Sequence, residues 1–357
     1  MAMLFDSYNL GRFILQNRLV MAPMTRSRAQ IDGTPGEHAA TYYSQRASVG
    51  LIVTEGTQPS EDGQGYLTTP GIYSDAHVVG WKKVTDAVHH KGGRIFIQLM
   101  HAGRMSHPDN TLHHRQGVAP SAIAPGTGMF TVNGMQDIPT PRALTIEEIH
   151  QTVADFAFAA KRAIEAGADG VEIHGANAYL IQQFFAPGSN IRTDEYGGSV
   201  ENRARFAIEI AKAIAQEIGA DRTAIRLSPG CTLWGIDEGA EGPDLYRYLI
   251  TELNALGLAY VHIMHQGNEP LLADIRSLWS NTLILNRPGR SRDQIGMDIA
   301  SGLADLEAYG AMVLANPDFV ERLKTNAPMN EPKQEGYFGG NDKFYIDYPT
   351  LNETRSE

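Results

Sequence analysis

The ten residues GVEIHGANAY, residues 170–179, decide how the rest of the chain is read. Gly170–Gly175 is a short apolar run closed by glycines, the pattern of a strand buried on both faces. Upstream the period changes. Thr145 is followed three residues on by Glu148, a capping-box signature. Ile146, Ile149, Val153, Phe156, Ala157, Ala160 and Ile164 then recur in steps of three and four, making one apolar face of a helix that Gly167 closes. Downstream, a further helix is expected over Val200–Ile218. A strand set between two helices is the unit of a parallel sheet.

Seven more runs of the same kind lie along the chain: RLVMAP (18–23), GLIVTEG (50–56), RIFIQLM (94–100), AIRLSP (224–229), YVHIMH (260–265), TLIL (282–285) and, less sharply, DLEAYG (305–310). Helices are expected between them over Asp75–His90, 244–256 and 291–301. Eight strands mostly alternating with helices close a (β/α)8 barrel, an α/β TIM barrel. No linker or shift in composition divides the chain, so residues 1–357 read as one domain. The third-to-fourth strand interval is the longest, and residues 103–141, rich in Gly, Pro, His and Ser, read as a loop excursion over the barrel mouth.

Composition removes several function classes. The 357 residues carry 30 Lys and Arg against 41 Asp and Glu, a net charge of −11. That balance argues against broad contact with nucleic acid or an anionic membrane. No run approaches the roughly 18 to 20 apolar residues of a membrane span, and the start of the chain does not read as a targeting segment. A lone Cys231 has no partner for an internal disulfide, so a reduced, cytoplasmic setting is expected.

In a barrel of this kind the reactive groups stand where the strands end. Those ends read Ala22-Pro23-Met24-Thr25, Thr54-Glu55-Gly56, Gln98-Leu99-Met100-His101, His174 to Tyr179, Arg226-Leu227-Ser228 and His265. His174 and Asn177 can donate to one ligand oxygen, and Tyr179 can deliver a proton. The same residues also read as a strand cap and a rim packing residue. Arg226, between Ile225 and Leu227, is a cation inside an apolar strand. It faces either an electron-rich ligand or a carboxylate such as Glu172 on the neighbouring strand. Gln98 offers a donor and an acceptor to a planar heterocycle, and Thr25 a hydroxyl. A metal site is not expected, since His262 and His265, three apart on a strand, point to opposite faces. The G-x-S-x-G elbow, the Walker loop and the Rossmann G-x-G-x-x-G are all missing from the sequence.

These residues bring a family into view. NRLVMAPMTRSRA (17–29), YYSQRASVGLIVTEGT (42–57), HGANAYLIQQFFAPGSNIRTDEYGGSVENRARF (174–206) and NDKFYIDYP (341–349) make the chain resemble the old yellow enzymes, flavin-dependent ene-reductases, and among them the bacterial N-ethylmaleimide and nitrate-ester reducing branch. The likeness runs from Leu4 to Leu351. It implies FMN as cofactor, NAD(P)H as reductant and a small electrophilic alkene as substrate, in a monomer or homodimer. It places Pro23, Met24, Thr25, Gly56, Gln98, His174 and Arg226 on the flavin, with Arg226 near N1 and O2. It gives His174 and Asn177 the substrate carbonyl or nitro oxygen. Tyr179 protonates the α-carbon while hydride leaves flavin N5 for the β-carbon, in ping-pong order. Tyr66, Met100 and Tyr345 line the substrate cavity.

Three positions depart from the family pattern. A glycine-rich turn after the seventh strand usually cradles the flavin phosphate. Here it reads Asn286-Arg287-Pro288-Gly289-Arg290, and Pro288 has no N–H to give. After the eighth strand the usual Gly-Arg is Gly310-Ala311, without the guanidinium. Arg287 or Arg290, with Gly289, Gly310 and Ala311 around the phosphate, is then expected to compensate. The alternative is a barrel with weak or altered cofactor binding that serves as an isomerase or a ligand-binding protein. Met100 stands where a Trp is usual, which alters cavity shape.

Overall fold

The computed structural model of the chain describes residues 2–354; the single domain read over 1–357 therefore has its extreme ends outside the described residues. Eight parallel strands close into a barrel in chain order: β1 Leu19–Met21, β2 Leu51–Val53, β3 Ile95–Leu99, β4 Gly170–Gly175, β5 Thr223–Leu227, β6 Tyr260–Met264, β7 Thr282–Asn286 and β8 Leu306–Tyr309. All eight expected runs are strands of this barrel, and β8 returns to β1 through the pair Tyr309 and Met21. A hairpin of Tyr8–Leu10 and Phe13–Leu15 closes the bottom.

The strand period sorts the side chains. Val20, Leu51, Val53, Phe96, Ala224, Tyr260, Ile284 and Leu306 pack together inside the barrel with Leu10 and Leu15 of the hairpin. Their neighbours Ile52, Ile95, Ile97, Ile173, Ile225, Val261 and Leu283 join the larger core beneath the helices. Successive residues face opposite sides of a strand, so both sets follow from one alternation. Both faces are apolar, as the continuous runs require.

The main helices are α1 Ala39–Gln45, α2 Asp75–His90, α3 Ile146–Glu165, α4 Leu180–Phe185, α5 Val200–Ile218, α6 Gly242–Leu256 and α7 Glu269–Leu278. Helix α3 begins with the full capping box, Thr145 Oγ1 accepting from Glu148 N and Glu148 accepting from Thr145 N. Gly167, at φ +88°, follows its C-cap. The helix expected over 291–301 is instead a short turn at Arg292–Gln294 followed by α8, Met297–Ala300. Gly296 at φ +86° separates the two, a conformation that a helix cannot contain. After β8 come α9 Ala311–Ala315, α10 Phe319–Lys324 and α11 Leu351–Thr354.

The excursion after β3 carries an antiparallel hairpin, Gly128–Thr131 paired with Gly134–Asp137, beside the barrel mouth. Residues 327–350 form a nearly irregular strap that returns to the same mouth.

Candidate active site

Two residues beyond the inward apolar layer stands an inward polar one. Phe96 is followed by Gln98, Ala224 by Arg226, Tyr260 by His262 and Ile284 by Asn286, while β4 supplies Glu172 and His174 with the same parity. Glu172 is fully buried and saturated: it accepts from Gln98 Nε2 at 2.8 Å, Tyr260 OH at 3.0 Å and His262 Nδ1 at 2.9 Å. Burial pushes its carboxyl up, but His262 and Arg226 outweigh that and hold it below the ordinary value. The Glu172–Arg226 ion pair offered by the sequence is not formed. Gln98, Tyr260 and His262 have taken the carboxylate, and Arg226 donates instead to Asn286 Oδ1 at 3.0 Å. Arg226 Nε is buried without a partner.

The chain turns sharply where β4 ends. Asn177 and Ala178 both take the left-handed conformation, at φ 54° and 66°, which strains residues with a Cβ. Their amides explain why the turn holds: Asn177 N donates to Ser228 Oγ at 2.9 Å and Ala178 N to Gln182 Oε1 at 2.8 Å. Gln183 Nε2 donates to the Ala178 carbonyl at 2.8 Å. Asn177, whose Oδ1 has no partner, thereby reaches the cavity beside His174 and Tyr179. His174 Nδ1 accepts from Ala176 N at 3.2 Å, which puts the neutral ring's proton on Nε2. Burial, with Arg226 nearby, pulls its pKa down to about 3.

The Tyr179 hydroxyl meets that of Tyr66 at 3.0 Å, and its ring stands edge-on to His174 at 4.9 Å. Burial, reinforced by Tyr66, pushes the Tyr179 phenol well above its ordinary range. It stays protonated at every physiological pH, as a proton donor must.

These groups open onto a cavity of about 930 Å³ at the C-terminal ends of the strands. Pro23, Met24, Thr25, Gly56, Tyr66, Gln98, Met100, His174, Asn177, Tyr179, Gly310 and Ala311 all line it. Met100 crowds Gly56 so closely that a Cβ there would lie 2.5 Å from its Sδ. Tyr345 does not take the place expected of it. It is buried against Tyr42, rings stacked at 4.4 Å, beneath the guanidinium groups of Arg26 and Arg28. Tyr337, Phe338 and Gly339 of the strap line the cavity instead. Trp234 and the hairpin residues Met129, Phe130 and Met135 line it too, and sequence reasoning missed them. Asn133-Gly134 within MFTVNGMQ is a hairpin signal that finds the latter.

Arg226, Arg287, Gly289 and Arg290 are not among the lining residues. Arg287 donates to Glu269 at 2.6 and 3.1 Å and to Asp298 at 3.0 Å. Arg290 pairs with Asp298 at 2.6 Å and Glu307 at 3.4 Å.

Residues 3–330 match the NADH:flavin oxidoreductase / NADH oxidase family. The chain is 40% identical to 12-oxophytodienoate reductase 2 of Arabidopsis thaliana, over 98% of this chain and 96% of that one. The chain belongs to the old yellow enzyme family. This old yellow enzyme is also 41% identical to a probable flavin mononucleotide-dependent alkene reductase of Leishmania infantum, over 94% of each chain. Its structure superposes on morphinone reductase in complex with tetrahydroNAD with a TM-score of 0.94, at 41% identity and 99% coverage of both chains. The old yellow enzyme homologue of Zymomonas mobilis gives a TM-score of 0.93 at 38% identity, covering 98% of this chain and 99% of that one. The protein is an FMN-dependent oxidoreductase that uses a nicotinamide reductant.

The residues present fit the flavin ring. With its amide donating to Glu172, Gln98 keeps its oxygen for a ring N–H, and the orphaned Arg226 Nε is a buried cationic donor for a ring oxygen. Gly56 lines the cavity with no side chain of its own, and Met100 occupies the space where its Cβ would stand. The far end of the cavity, at Gly310, Ala311 and Leu314, offers no free cation among the described residues.

Proposed function

We propose that this old yellow enzyme reduces the activated C=C bond of α,β-unsaturated carbonyl compounds, with nitro compounds and nitrate esters as further acceptors. One observation carries this: the Nε2–H of His174, the Asn177 amide and the protonated Tyr179 hydroxyl line one cavity with Gln98, and Arg226, on the strand beside His174, is buried with an orphaned Nε. FMN, when bound, supplies the hydride chemistry that links NAD(P)H to the alkene. His174 and Asn177 hold the carbonyl oxygen and draw electron density from the double bond. Tyr179, its hydroxyl fixed by Tyr66, gives the proton to the α-carbon. Thr25 and Gln98 orient the ring, and Tyr66 and Met100 shape the substrate space.

The cavity wall has no Asp, Glu, Lys or Arg among the described residues, and it carries Met24, Met100, Met105, Met129 and Met135. That suits a neutral substrate and tolerates varied shapes. Reductant and alkene use one cavity in turn, so double-reciprocal plots are expected to be parallel. A cytoplasmic monomer or homodimer acting on small molecules, without nucleic acid, fits the acidic charge and the lone cysteine. The test is NADPH oxidation with and without cyclohexenone or N-ethylmaleimide. Addition of the alkene is expected to accelerate oxidation and yield the saturated product; an unchanged rate with every acceptor sinks the reading.

A further inference from the structure

Barrels of this class form phosphate sites from the loops after strands seven and eight and the start of a short extra helix. Here that end comprises residues 287–290, Gly310-Ala311 and α9, and the cavity reaches it through Ala311 and Leu314. Its two cations are already committed. Arg287 is held by Glu269 and Asp298, and Arg290 by Asp298 and Glu307. Three carboxylates against two guanidinium groups leave the cluster negative.

Three backbone amides of the 296–299 turn are drawn to the same cluster of carboxylates. Glu307 accepts from the amides of Gly296, Asp298 and Ile299 at 2.7, 2.8 and 3.3 Å, and from the Tyr309 hydroxyl. Glu307 is buried, so these bonds are not shared with solvent. Pro288 has no N–H, and the residue after Gly310 carries only a methyl group. A dianionic phosphate entering here would meet carboxylates that already hold both guanidinium groups.

We propose that the carboxylates of Glu307 and Asp298 stand in for the cofactor phosphate at this end, so that the protein binds flavin through the ring and takes riboflavin about as tightly as FMN. This rests on the ring site proposed above and replaces the compensation by Arg287 or Arg290 that the sequence suggested. The flavin-free full-length protein is titrated with FMN and with riboflavin, and quenching of flavin fluorescence is read. The two dissociation constants are expected to agree within about tenfold, and FMN binding more than about a hundredfold tighter overturns the proposal. Ala311→Arg, which adds a cation, is expected to tighten FMN about tenfold or more and leave riboflavin unchanged. Glu269→Gln, which frees one arm of Arg287 at an exposed position, shifts the same way by less. Selective weakening of FMN by Arg287→Ala or Arg290→Ala overturns the proposal, because it shows those arginines turned toward phosphate. If neither flavin binds, the ring site falls with it; if both bind but only FMN tightly, the ring site stands alone.

Discussion

Tyr179 is the residue on which most turns. Its phenol is held protonated by burial, while burial drives His174 the opposite way, to a neutral ring with a pKa of about 3. The donor and the oxygen-binding group therefore both keep their working form between about pH 5 and about pH 9. The sign is explicit: above its depressed pKa His174 is neutral, and below its raised pKa Tyr179 keeps its proton. Alkene-dependent turnover is expected to be flat across that range, and an ionisation limb near neutrality would show that another group controls the step. Tyr179→Phe is expected to slow the alkene half-reaction about 10²- to 10⁴-fold. Flavin reduction by NAD(P)H should keep its rate, and stopped-flow absorbance separates the two. His174, Asn177 and Tyr179 were legible because they cluster in six residues at a strand end. The contact with Tyr66, 113 residues away, was not. Nor was the strain at Ala178, since a left-handed residue normally announces itself as Gly.

At the scale of elements, eight strands and three long helices could be read because period and capping are local. The elements missed are those whose conformation is set from a distance. The 291–301 segment has helix formers, yet the buried carboxylate of Glu307 gathers the amides around Gly296 and starts α8 late. The hairpin at 128–137 is the element with the clearest consequence for substrate choice. Phe130 and Met135 line the cavity and yet are 66% and 69% exposed, so they form an apolar rim rather than core. Phe130→Ser with Met135→Ser is expected to raise KM several-fold for enones bearing a long apolar substituent, since roughly 1 to 2 kcal/mol of apolar contact is lost. The KM for cyclohexenone, which is too small to reach from His174 to the rim, should not move. Equal loss for both substrates, measured by initial rates, would mean that the hairpin supports the site as a whole.

The whole molecule is closed at the seam between β8 and β1, where the strap 327–350 completes the cavity wall. Arg46, within the YYSQRASVG segment, joins the three parts. Its guanidinium is buried with carbonyl oxygens for partners: Tyr42 at 2.8 Å in α1, Val313 at 3.2 Å and Leu314 in α9, and Tyr345 at 3.3 Å in the strap. It also lies 4.2 Å from the centre of the Tyr42 ring. Burial lowers its pKa to about 10, so it remains a cation near neutrality. Nothing in the sequence separates this arginine from a surface one, and the strap has too little periodicity to show that Tyr345 would face Arg26 while Tyr337 and Phe338 face the cavity. Arg46→Met keeps length and apolar bulk but leaves those carbonyls without donors, at about 1 to 3 kcal/mol for each that water does not reach. A loss of about 3 kcal/mol or more in urea unfolding is expected, with faster proteolysis in 327–350. Arg46→Lys supplies donors from a single point and cannot span all three segments, so it should fall between the two. If Arg46→Met unfolds at the wild-type urea concentration, the seam is held by the stacking of Tyr42 on Tyr345, and the arginine is incidental to it.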